Sequence, residues 1–77
     1  MTLKDIRTEI NEFYLESKNR EYPNSIILTK EQYKTFIREL FKVPSDLDVP
    51  EGIIIQSIEG LRVVLTEQID TPRIVKV

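Results

Sequence analysis

Apolar residues recur at steps of three and four from the start of the chain, at Leu3, Ile6, Ile10 and Phe13, with Ser17 continuing the line. That narrow stripe predicts an amphipathic helix from about Leu3 to Lys18 or Arg20. Thr2 with Asp5 three residues on fits a helix-opening capping pair, although Glu or Gln is the favoured partner. Glu16 and Arg20, four apart in the favoured order, are expected to support the last turn. Pro23 biases Tyr22 away from helical angles, so the helix must end before it.

Ser25-Ile26-Ile27-Leu28 is a short apolar run between turn-forming residues and reads as a buried strand. A second helix then opens on the strongest signal in the chain. Thr29 stands at the N-cap and Gln32 three residues on, so each side chain can satisfy the other's backbone N–H; Leu28 and Tyr33 form a hydrophobic staple across the cap. Tyr33, Phe36, Ile37, Leu40 and Phe41 predict a broad apolar face, and Pro44 stops the helix near Lys42. Val43 to Glu51 reads as a loop. Ile53 to Ile58 is a β-branched run, Glu59-Gly60 a two-residue hairpin turn, and Leu61 to Thr66 the returning strand. Asp70-Thr71-Pro72 marks another turn, and Arg73 to Val77 reads as a final strand at an edge.

The order is α-β-α-β-β-β. It predicts one α+β domain over residues 1–77, with two helices packed on a small, mainly antiparallel sheet. In the hairpin, Ile58 is expected opposite Leu61, Gln56 opposite Val63 and Ile54 opposite Leu65, with Ile53, Ile55, Ser57, Arg62, Val64 and Thr66 on the other side. Neither side is plainly polar. Either the two helices cover opposite faces, or one face is left for a partner.

Composition narrows the possible functions. The 77 residues carry 13 acids and 11 bases, a net charge of −2, so there is no general excess of positive charge for a phosphate backbone. Residues 1–42 hold 8 bases and 7 acids, and residues 43–77 hold 3 and 6, so the negative balance lies in the loop and hairpin half. Without Cys or His there is no disulfide, no thiolate chemistry and no imidazole base or ligand. No apolar run approaches membrane-spanning length, and Met1-Thr2-Leu3-Lys4-Asp5 is not the start of a signal peptide, so a cytoplasmic protein is expected. Eleven Ile and no Ala point to a coding source poor in G and C.

Three groups of residues could carry chemistry. Asp46-Leu47-Asp48-Val49-Pro50-Glu51-Gly52 alternates carboxylates as a calcium loop does, but Pro50, Gly52 and Ser57 stand where such a loop needs ligands or a bidentate Glu, so no metal is expected. Lys30, Lys34, Arg38 and Lys42 step by four along the second helix. That ridge could follow a phosphate backbone, which makes a small nucleic-acid-binding or regulatory domain the alternative reading. Of the tyrosines, Tyr33 is used by the staple and Tyr14 borders the first helix's stripe, leaving Tyr22 for a surface contact. Leu15 lies about 150° round from the apolar stripe and joins it as a candidate contact. With no nucleophile–base pair and no Gly-rich phosphate loop, neither an enzymatic role nor a cofactor is expected.

From Pro23 onward the chain resembles a segment of tailed-phage major capsid proteins and related phage or prophage structural proteins. Pro23 to Tyr33, continuing to Phe36 and Leu40, is similar to their segment of proline, apolar strand, small polar cap and aromatic-bearing helix. Ile58 to Glu67 is similar to the strand that follows it, and Asp70 to Val75 to a final turn and strand. A capsid subunit is several times longer, and this chain lacks its long helix and extended arm. The resemblance implies no catalytic or cofactor residues. It implies a phage-derived protein, of the host cytoplasm or the virion, whose work is contact. With the composition, this makes the expected partner a protein or a second copy of the chain, with nucleic acid kept to the alternative reading and no membrane or small molecule implied. Contact residues are then expected at Leu15 and Tyr22, with Ile53, Ile55 and Val64 if one sheet face is uncovered.

Overall fold

A computed structural model describes residues 2–50 and 52–77. Helix α1 spans Leu3–Glu16 and opens on the expected capping box. The Asp5 amide donates to Thr2 Oγ1 at 3.2 Å, and the Thr2 amide donates to Asp5 Oδ2 at 2.8 Å. That second bond comes first among the causes holding the Asp5 carboxyl below its ordinary value. The helix stops at Glu16, short of the expected end. Ser17 is already extended, Arg20 is left-handed at φ 53°, and the Arg20 guanidinium turns back to donate to the Leu15 carbonyl at 2.8 Å. Arg20 therefore caps a bare helical carbonyl, and the expected pairing with Glu16 does not form.

Strand β1, Ser25–Leu28, and helix α2, Lys30–Phe41, follow as predicted, with the Thr29–Gln32 capping box intact in both directions. α2 carries a second capping role: both carboxylate oxygens of Glu39 accept from the Leu3 amide at 3.1 Å. A negative group at the N-terminus of α1 meets the positive end of its dipole, so the two helices are joined end to side. The apolar face of α2 is narrower than predicted. Phe36 and Ile37 are buried, but Leu40 and Phe41 are 39% and 58% exposed. Twelve helical residues run about 18 Å, whereas the four of β1 run about 13 Å, so α2 is longer than the strand that precedes it. Lys42 ends it in the left-handed region at φ 53°, with its own amide and that of Val43 both donating to the Arg38 carbonyl.

The remaining strands are β2 (Ser57–Ile58), β3 (Leu61–Leu65) and β4 (Arg73–Val75). They form a sheet in the order β2-β3-β1-β4. β1 pairs in parallel with β3 and antiparallel with β4, and β2 and β3 form the predicted hairpin. Glu59 and Gly60 both have positive φ, 50° and 80°, the backbone of a tight turn matched to strand twist. β4 lies at an edge as expected, tied down where Asn24 exchanges two hydrogen bonds with Val77.

The hairpin is shorter than predicted. Its last rung is Val63 N–H to the Gln56 carbonyl, and Ile53 to Ile55 leave the ladder. The cause is Tyr33, whose phenol oxygen accepts from the Ile55 amide at 2.6 Å and donates to the Ile55 carbonyl at 3.4 Å. With those groups held by α2, the expected Ile54–Leu65 pair does not form, and the two side chains are 81% and 54% exposed.

The core is one-sided. Ile6 of α1, Phe36 of α2, Ile26 and Leu28 of β1, Ile58 of β2 and Leu61 of β3 form the buried cluster. Leu3, Ile10, Tyr33, Ile55, Val63 and Ile74 pack around it. Both helices therefore lie on the same face of the sheet.

Candidate interaction surface

Strand alternation places every second residue on the side away from that cluster. The register then fixes which residues are neighbours there. One row across the four strands reads Ser57, Arg62, Ser25, Val75; the next reads Val64, Ile27, Arg73. Since both helices send their apolar residues to the other face, this one is left uncovered. Its central strand contributes half-buried Ile27 and Ser25, the latter 4% exposed, and an apolar diagonal runs from Val64, 38% exposed, past Ile27 to half-buried Val75. Arg62 and Arg73 stand at the other two corners, both exposed, and neither forms an ion pair among the described residues. No acidic residue belongs to either row.

Val64 is thus where the sequence places it, beside a partly apolar surface. Ile53 and Ile55 are not. Because the segment before Gln56 is no strand, Ile55 turns inward against the core and Ile53 lines a groove with Ile37, Val49 and Pro50. Leu15 is 60% exposed on α1. Tyr22 is equally exposed but not alone, for its ring stacks on Tyr14 with centroids 4.4 Å apart and planes 18° from parallel. That stack pins the segment between α1 and β1 to the helix.

The basic ridge is divided by the fold. Lys34 and Arg38 line a groove with Glu31 on their own helix and Asp48 on the facing loop, so the field there is balanced. The Arg38 guanidinium donates to the Pro44 carbonyl at 2.9 Å and Lys42 closes the helix, which leaves Lys30 and Lys34 as the part of the ridge without an ion pair or side-chain hydrogen bond among the described residues. Asp46 and Asp48 are exposed, Glu51 lies outside the described residues, and no group of three metal-ligating side chains occurs among the described residues.

Two features were missed by sequence reasoning. Arg62 and Arg73 share the open face because β1 lies between their strands, and no local pattern shows that parallel register. The second was legible: Asp5, Glu9, Glu12 and Glu16 recur at steps of four, three and four, a single acidic ridge on α1. Burial, then repulsion from Glu12 and Asp5, raises the Glu9 carboxyl above its usual value.

No protein-family model, curated protein or solved structure matches the chain. Among the described residues, no helix is long and apolar enough to cross a membrane.

Proposed function

We propose that this is a small non-enzymatic protein that acts through protein–protein contact, using the uncovered face of its sheet, and that it self-associates. The observation that carries the reading is the Val64–Ile27–Val75 surface: an apolar diagonal, flanked by two arginines that form no ion pair among the described residues, and covered by neither helix. Arginine beside apolar side chains is the composition of contact surfaces rather than of general protein exterior. A phage or prophage role, in the host cytoplasm or the virion, belongs to the same proposal and is supported by the resemblance of residues 23–77.

Magnitude sets how the contact must be sought. Four strands about 4.8 Å apart and averaging about 12 Å in length give a footprint of roughly 220 Å², against about 800 Å² per partner in a stable interface. The contact is therefore weak unless flanking surface joins it. Light scattering over a dilution series reaching hundreds of micromolar should show the mean mass rising with concentration, on the order expected for so small a contact. Val64→Asp should abolish that rise while leaving the fold intact. A strict monomer throughout, or retention on DNA lost with Lys30→Glu and Lys34→Glu, would overturn the proposal.

A further inference from the structure

The open face has two arginines and no acid, so two such faces cannot oppose one another without bringing four like charges together. The complementary surface is elsewhere on the same chain. On α1, Glu12 and Leu15 are three residues apart and so neighbours on the helix, with Glu16 beside them; all three are exposed. The pattern is the converse of the sheet face: exposed apolar surface beside charge, with the sign reversed. The spacings are within side-chain reach. The Arg62 and Arg73 Cα atoms are about 12 Å apart, two strands over and two residues along. Glu12 and Glu16, one turn apart on the ridge, are about 6 Å apart, so each arginine has to reach inward by about 3 Å. Arginine side chains easily span the difference.

We infer that the partner of the open sheet face is the Glu12–Leu15–Glu16 surface of α1 on a second copy of this chain. Leu15 sits against Val64 and Ile27, and the two carboxylates meet Arg62 and Arg73. The inference rests on the contact reading given above and names its partner.

Geometry dictates the form of the assembly. α1 lies on the covered side of the sheet, so its outward ridge and the open face point away from each other within one molecule. A contact between unlike surfaces is head-to-tail, and repetition gives a ring or an open stack rather than a closed two-fold dimer. The layers would alternate sheet, helix, sheet, helix. Because opposite charges flank the contact, added salt should weaken it.

Charge exchange tests the inference. One variant carries Arg62→Glu and Arg73→Glu; the other carries Glu12→Lys and Glu16→Lys, which spares the Asp5 cap and half-buried Glu9. Sedimentation velocity is run from about 10 μM to about 1 mM, the range in which weak contacts are populated. The wild type should grow past the mass of a dimer, and less so in high salt. Each variant alone should stay monomeric, with unchanged circular dichroism. An equimolar mixture of the two should associate again, because each then finds an oppositely charged surface. A ridge variant that associates as the wild type does would overturn this pairing while leaving the open face as a contact surface. Loss of association in both variants without rescue on mixing would also overturn it. A wild type that is monomeric throughout would remove self-association itself.

Discussion

The Tyr33 phenol oxygen both accepts from the Ile55 amide and donates to the Ile55 carbonyl, at 2.6 and 3.4 Å. A single side chain of α2 thereby replaces a strand partner for the residues that approach the hairpin. The consequence is a two-residue β2 and an irregular Ile53–Ile55 segment in place of a longer hairpin arm.

Tyr33→Phe removes that oxygen and keeps the ring. It should cost about 1–2 kcal/mol, because a half-buried amide and carbonyl lose their partner. Hydrogen exchange at Ile55 should accelerate more than exchange in β1. Equal acceleration in both would show that the bond does not hold the segment locally.

Glu59 occupies a turn position where Asn is the favoured residue before Gly. Its carboxylate accepts from the Arg7 guanidinium, with Nε at 2.9 Å, and so ties the hairpin to α1. That bond holds the Glu59 carboxyl below its ordinary value. A lowered folded-state value stabilises the fold above the ordinary value of 4.5 and ceases to do so as pH falls through the lowered one. Glu59→Gln should flatten the acid limb of a melting-temperature profile. Glu59→Asn should be closer to wild type near neutral pH, since better turn backbone offsets the lost ion pair.

Glu9 has the opposite sign. Burial and its acidic neighbours raise its folded-state value, so the charged form opposes folding at neutral pH and the penalty disappears below the ordinary value of 4.5. Glu9→Gln should raise the melting temperature at pH 7, and the gain should close as pH falls through the carboxylate range. A gain independent of pH would mean that packing, not charge, is responsible.

Lys42 closes α2 at φ 53°, a conformation disfavoured for any residue with a Cβ. Lys42→Gly should stabilise the protein by about 0.5–1 kcal/mol in chemical denaturation, after the entropy cost of glycine. No gain would indicate that the Lys42 side chain makes a compensating contact.

Local signals were read well. Both capping boxes, the Glu59-Gly60 turn and the β1–α2 junction depend on residues within a few positions of one another, and each forms as the sequence implies. What was misread depends on distant partners. Ile53 to Ile55 have every strand-forming side chain, yet a tyrosine more than twenty positions away takes their backbone groups. Leu40 and Phe41 have helical periodicity, yet both side chains stay exposed. The candidate site divides in the same way. Val64 and Leu15 were visible as individual residues; Arg62 and Arg73 became its corners only through the parallel register of β1 with β3.

That register also governs how the chain can reach its native state. β1 is flanked by β3 and β4, whose partners for Ser25 are Arg62 and Val75. Everything up to the end of α2 is thus without a sheet neighbour until residues far downstream are available. Closing loops of that length before any cross-strand contact forms is an entropic barrier, and it makes the search slow relative to helix formation. A nascent chain ending at Lys42 would hold two capped helices and one apolar strand with nothing to pair to. Pairing of β1 therefore waits on residues 61–75, after both helices have been made.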